Sequence, residues 1–325
     1  MIELPRWARR VLGFDATLGP PHVFAVGPQE IRYGRFEGAA GEGLALHEHR
    51  RVALDPGTFE PGVLGGPLRA PEAFAEAVER LLGGVSAPVE QASLVLPDEW
   101  LRLSFVELGE LPASHESRLE ILRWKLKRLV PFRVEDLRLD FVPVAPLPGQ
   151  REPNRLLVAF GLEALLAQLE SAFAARQVWL GRIGNRGLGL LAALRRELAP
   201  CALAALVPVQ ADGYSLLFTR RGEPALYRHK TLDRGQGEGQ LAATVERDLR
   251  LTRAFLGEHL PDLRLERVLL LAPPPLQTPW RDWLAAGLGQ TAEAVSVRHL
   301  PLSGEANVAP EEVAPLLGVA SQEVA

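Results

Sequence analysis

One succession of elements occurs twice along this chain: three short strands joined by tight turns, then a helix, then a further buried strand. In the first copy, 23–26 and 31–37 alternate apolar and polar residues around Gly27 and Pro28, as a half-buried hairpin does. Residues 44–54 continue the alternation as a third strand. Pro71 then opens a helix with Phe74, Ala77, Val78, Leu81 and Leu82 on one face, and Gly83 and Gly84 close it. Residues 93–97 read as a buried strand. In the second copy, strands 202–209, 215–220 and 225–230 are joined by turns at 211–213 and 221–224. A helix at 241–260, a strand at 267–271, a helix at 279–288, a strand at 294–299 and a closing helix at 310–319 complete it.

A different pattern interrupts the first copy. A strand at 101–108 precedes a helix at 114–130, whose Leu119, Leu122, Leu126 and Leu129 form one stripe. Strands at 137–144 and 155–160, a helix at 162–176, a strand at 178–183 and a helix at 188–198 follow. The halves share an order of elements and negligible residue identity. Together they outline an α/β, actin-like (ribonuclease H-like) two-lobed fold with an inserted α+β subdomain. Residues 1–97 and 182–200 are expected to form the first lobe, 98–181 the inserted subdomain and 201–325 the second lobe.

With 47% hydrophobic residues in 325, the chain has apolar area enough to offset its ordering entropy over two or three subdomains. Its formal charge of −4 provides no general positive field, so nucleic acid is not expected as a partner. Cys201 is the single cysteine, which excludes an internal disulfide or a thiolate-rich metal site and suits a reducing cytoplasm. No apolar run approaches the roughly 20 residues of a membrane-spanning helix. The start of the chain lacks the apolar core and cleavage site of a secretory signal. Trp7, Val11 and Leu12 beside Arg6, Arg9 and Arg10 make a basic amphipathic turn, of a kind that more often packs on its own domain than on a membrane.

Three segments carry a family resemblance: 93–97 running to Leu111-Pro112; Leu119-Glu-Ile-Leu-Arg-Trp-Lys-Leu-Lys-Arg-Leu-Val-Pro-Phe132; and Val134-Glu-Asp-Leu-Arg-Leu-Asp140. In this order they resemble the PilM family of type IV pilus assembly, cytoplasmic actin-like proteins related to FtsA. The agreement continues through Leu156–Phe160 and the helix after it, and is weaker outside the middle of the chain. The resemblance implies a scaffold, not an enzyme, peripheral at the inner-membrane face. It also implies other pilus assembly proteins as partners, together with a PilN-like bitopic inner-membrane protein whose cytoplasmic tail docks beside the inserted subdomain. Arg102, Arg123, Trp124 and Phe132 are the expected partner-binding residues, combining apolar area with charge. Two alternatives stand beside it: an active actin-like ATPase, and a scaffold of the GspL kind from type II secretion.

Actin-like ATPases cradle phosphate and magnesium with tight, glycine-rich turns bearing a carboxylate. At 24–29 this chain has Phe-Ala-Val-Gly-Pro-Gln, without a carboxylate and with a proline that removes one N–H. At 207–214, Asp212-Gly213 reads as a hairpin turn, and at 272–275 Ala-Pro-Pro-Pro stands where glycines would admit a base. Residues 235–239 lack the lysine and the strand-to-helix context of a phosphate loop. ATP and magnesium are therefore disfavoured, and no cofactor is expected.

Other chemistries have little support. His47-Glu48-His49 places two imidazoles on one strand face without a third metal ligand. Cys201, entering an apolar strand, is expected to be inert, and no Gly-x-Ser-x-Gly elbow occurs. Arg123, Lys125, Lys127 and Arg128 form a local basic cluster, read either as a solvated helix face or as an attraction for acidic partners or anionic headgroups.

Overall fold

The computed structural model describes residues 17–18, 20–38, 43–60, 68–130, 133–148, 153–210, 213–232, 235, 237–303, 308–321 and 323–324. The basic turn at 6–12, Phe132 and Asp212 lie outside these residues.

The first lobe is built on β2 (His22–Val26), β3 (Glu30–Glu37), β4 (Ala45–Ala53), α1 (Pro71–Gly83) and β5 (Gln91–Leu96), preceded by the two-residue strand β1 (Thr17–Leu18). An inserted unit follows: β6 (Leu101–Leu108), α2 (His115–Leu126), β7 (Leu137–Val144) and β8 (Asn154–Leu162). The chain returns to the first lobe through α3 (Glu163–Ala174) and β9 (Trp179–Asn185), then crosses by α4 (Arg186–Leu198). The second lobe comprises β10 (Leu203–Pro208), β11 (Gly213–Arg220), β12 (Glu223–Thr231), α5 (Glu238–His259), β13 (Leu265–Leu271), α6 (Pro274–Leu288), β14 (Ala292–Ala294) and α7 (Pro310–Ala320), with β15 (Glu323–Val324) pairing back to β1.

The two large sheets correspond strand for strand. One runs β4-β3-β2-β5-β9, the other β12-β11-β10-β13-β14. In each, the three meander strands pair antiparallel and the last two join in parallel. Parallel strands need both faces covered, and the helices supply that cover. In the first lobe α1 and α3 bury Phe74, Leu81, Leu169 and Phe173 against Phe24, Tyr33 and Leu94. In the second, α5 and α6 bury Leu249, Trp280 and Leu284 against Tyr214, Phe218 and Leu270. Between the sheets lie α4 and α7, in a shared core of Val23, Val95, Leu190, Leu194, Leu206, Leu269, Leu316 and Leu317. This is the actin-like two-lobed α/β architecture expected from the doubled pattern.

The inserted sheet, ordered β6-β8-β7, has its own core of Val106, Leu122, Leu126, Val134, Leu156, Val158 and Phe160. Within the 98–181 stretch, this separate core covers 106–160, whereas α3 and β9 pack with the first lobe. The insert also touches the second lobe. Arg155 of β8 lies 3.8 Å from the Phe105 ring centroid and donates to the carbonyl of Ala225 in β12, and burial lowers its pKa to about 10.

Three elements depart from expectation. Helix α2, capped by the Ser114 hydroxyl accepting from the Ser117 N–H, ends at Leu126 and not at residue 130. Residues 127–129 form a turn there, so Leu129 leaves the buried stripe and is 60% exposed. The strand expected at 294–299 stops at Ala294, because Ser296 and His299 cap each other's backbone around a single 3-10 turn, Val297–His299. Helix α6 starts at Pro274 and not at Pro279, since prolines at the first helical positions forfeit N–H groups that have no intrahelical partner.

Candidate functional site

A cleft of about 390 Å³ opens where the carboxyl ends of the two sheets face each other. Ligands of open α/β sheets bind at such strand ends. All three turns singled out in the sequence meet here: Gly27, Pro28 and Gln29 after β2, Val209 and Gln210 after β10, and Pro273 after β13. Glu30, Arg32, Arg186 at the start of α4, and Glu311 and Glu312 in the first turn of α7 complete the polar lining. Sequence reasoning missed these five. Glu311-Glu312 carry a local signal as acids behind the helix-opening Pro310, but nothing local connects Arg32 or Arg186 to the cleft.

Three N–H groups of these turns are bonded inside the protein. The Gly27 N–H bonds the Glu30 carbonyl at 2.9 Å, and Pro28 has no N–H to offer. The Val209 N–H goes to the Leu271 carbonyl and the Gln210 N–H to the Gly213 carbonyl, each at 2.8 Å. Among the carboxylates, Glu30 pairs with Arg32. Glu312 lies 3.5 Å from Arg51 and 4.0 Å from His49, both on β4.

Behind the cleft a buried polar seam joins the lobes. Asp98, just past β5, accepts from the Gly187 N–H of α4 at 3.0 Å and from the Ser215 hydroxyl of β11 at 2.8 Å. Ser215 also lies 3.0 Å from His229 Nδ1. Asn185 caps α4 through the Leu188 N–H and donates to the Leu101 carbonyl at 2.5 Å. Burial, with Asp98 nearby, pushes the Tyr227 phenol well up. Serine here bridges the acid and the imidazole, whereas nucleophilic catalysis needs the imidazole between serine and acid.

The three expected partner-binding residues that are described fall in two places. Arg123 and Trp124 share the last turn of α2, where Trp124 is 63% exposed and the Lys125 ammonium lies 5.8 Å from its ring centroid. Arg102 is half-buried in β6, and that burial, partly countered by Tyr227 and Glu99, lowers its pKa.

The two imidazoles of 47–49 are separated. A bulge where Arg35 pairs with Glu48 and Phe36 with Leu46 leaves His47 without a partner and breaks the alternation. His47 then lies 3.4 Å from Glu37, while His49 turns to Glu312. No cluster of three metal-ligating side chains occurs among the described residues. Burial, then Glu266, raise the Cys201 thiol pKa, which keeps it from acting as a ready nucleophile. No helix among the described residues is long and apolar enough to cross a membrane.

No family model matches the chain, and none of the curated proteins matches it. Solved structures do. A chain of a PilM-PilN type IV pilus biogenesis complex superposes with a TM-score of 0.69 at 18% identity, over 94% of this chain and 96% of that one. A Bacteroides thetaiotaomicron protein with an actin-like ATPase fold gives 0.49 at 9% identity, covering 85% and 91%. The cytoplasmic domain of EpsL, an inner membrane component of the Vibrio cholerae type II secretion system, gives 0.43 at 16%, covering 78% and 82%. The first likeness shows a common fold over nearly the whole of both chains, and it falls on the family that segments 93–97 and 119–140 resemble.

Proposed function

We propose that the chain is a scaffold of a type IV pilus assembly complex, peripheral at the inner face of the cytoplasmic membrane, that holds the cytoplasmic tail of a PilN-like bitopic protein. The carrying observation is the near full-length likeness to a chain of the PilM-PilN complex, over 94% of this chain. On this reading the tail docks against the inserted subdomain, with Arg102, Arg123, Trp124 and Phe132 as its contacts. Exposed Trp and Arg are the side chains that most often anchor such peptides. Membrane attachment then comes through the partner, and further pilus assembly proteins join the same complex.

The reading includes a degenerate nucleotide site, and so no enzyme. Magnesium-nucleotide binding needs converging free N–H groups and an unpaired carboxylate. The N–H groups of Gly27, Val209 and Gln210 are already bonded within the protein, and Glu30 is held by Arg32. These internal bonds support reading the cleft as that of a pseudo-ATPase.

The test is an affinity pull-down of the tagged chain from membranes of its own organism, with an Arg123→Glu/Trp124→Ala variant alongside. The expected result is recovery of a bitopic pilus-assembly protein by the unaltered chain and its loss with the variant. Membranes that yield no such protein would overturn the scaffold reading.

A further inference from the structure

Between Glu120 and Glu135 the chain carries five cations, Arg123, Lys125, Lys127, Arg128 and Arg133, and no acid. Two of its three lysines are here, although the protein as a whole has a formal charge of −4. Many cations elsewhere meet carboxylates, among them Arg50 with Glu48, Arg138 with Glu163 and Glu170, Arg195 with Glu223, Arg228 with Asp248, Arg267 with Glu197 and Glu293. Among the described residues Arg123, Lys125, Lys127 and Arg128 form no ion pair, and Arg133 reaches Glu135 only at 3.8 Å. A helix C-terminus accounts for one or two cations through its dipole. It does not account for the large apolar side chains among them. Trp124 is 63% exposed and Leu129 60%, and the early end of α2 is what puts Leu129 in solvent.

Unpaired cations around an exposed tryptophan and leucine match an anionic leaflet, where ammonium and guanidinium groups reach headgroup phosphates while apolar tips enter the acyl boundary. An acidic protein would satisfy the charge but leaves the exposed leucine without a stated role. We propose that the end of α2 and the turn after it, Lys125, Lys127, Arg128 and Leu129, bind an anionic lipid surface directly. This contact goes beyond the partner reading and requires no partner tail.

The test mixes the purified full-length chain, without any partner, with phosphatidylglycerol/phosphatidylethanolamine vesicles or with phosphatidylcholine vesicles, and follows co-flotation. Binding is expected to the anionic vesicles only. It should weaken steeply with salt, since the screening length falls from about 10 Å at 0.1 M to about 3 Å at 1 M. Each cation near an anionic surface is worth roughly a fivefold gain in affinity, so Lys125→Glu/Lys127→Glu/Arg128→Glu is expected to lose at least about a hundredfold. Leu129→Ser should weaken binding while leaving the salt dependence in place. Equal flotation with both vesicle types, or full binding by a triple variant with an unchanged melting temperature, would overturn the proposal. So would an unaltered chain that ignores vesicles but binds polyglutamate, which would make the patch a site for acidic protein. If the triple variant does not fold, salt release of the unaltered chain decides. None of these outcomes bears on capture of a bitopic partner, so the two readings fail separately.

Discussion

Gly318 of α7 and Gly189 of α4 meet backbone to backbone where the two helices cross between the lobes. A Cβ built on Gly318 would lie 1.6 Å from the Gly189 carbonyl oxygen, and one on Gly189 would lie 2.8 Å from the Pro315 carbonyl oxygen. The obstacles are backbone atoms, which no rotamer change can move aside. Overpacking a core typically costs about 1–3 kcal/mol, and more where nothing yields. Gly318→Ala is therefore expected to lose about 3 kcal/mol or more in urea unfolding. Gly257→Ala in α5 has open space around its Cβ and should gain up to about 1 kcal/mol from helix propensity. Equal effects at the two sites would show that the crossing is looser than described.

The Asp98 seam predicts a coupled loss. Asp98→Ala leaves the buried Gly187 N–H without its acceptor and the Ser215 hydroxyl with only His229 Nδ1 as partner. A loss of about 1–3 kcal/mol, the cost of one unpaired buried group, is expected from denaturant midpoints. Because the two residues share a hydrogen bond, the Asp98→Ala and Ser215→Ala effects should fall short of additivity by more than about 0.5 kcal/mol. Simple additivity would mean that the seam does not act as a unit.

That seam was invisible in the sequence, for a definite reason. Asp98 and Ser215 come from different lobes, and neither has a local pattern that announces the other. Periodicity did reveal what is local: the hairpin of 23–26 and 31–37, helix α1 with its proline start and glycine stop, and the succession of elements in both lobes. The three altered turns were readable as departures, and the fold brings them to one cleft, but Arg186 and Glu312 reach it from distant segments. The bulge at His47 and the cap between Ser296 and His299 escaped because each turns on one or two hydrogen bonds that alternation does not encode. The pattern carried α2 to residue 130, yet the helix closes earlier, and this hid the exposure of Leu129.

Glu48 gives a pH prediction. Burial alone would raise its pKa, but bonds from Arg50 at 2.6 Å and from the Ser86 N–H and hydroxyl at 3.1 and 2.8 Å hold it at about 2. An unfolded glutamate titrates near 4.3. Its contribution is thus fully present above about pH 5 and is lost as pH falls through the folded value. Glu48→Gln should destabilise by about 1–3 kcal/mol at pH 7 and by much less near pH 2. The check is the difference in urea midpoint between variant and parent across that range, and a difference constant with pH would remove Glu48 as its source.

Nucleotide binding is the sharpest test of the cleft. A ligand at 100 times its dissociation constant stabilises the folded state by about 2.7 kcal/mol, which raises the melting temperature by several degrees in a chain of this size. With the N–H groups of Gly27, Val209 and Gln210 bonded internally and Glu30 held by Arg32, millimolar magnesium-ATP is expected to leave the melting curve unmoved. Arg32→Ala frees Glu30 but restores no N–H donor, so it should not create binding either. A reproducible rise with magnesium-ATP in the unaltered chain would mean that the turns rearrange to release their donors, and that the protein responds to nucleotide.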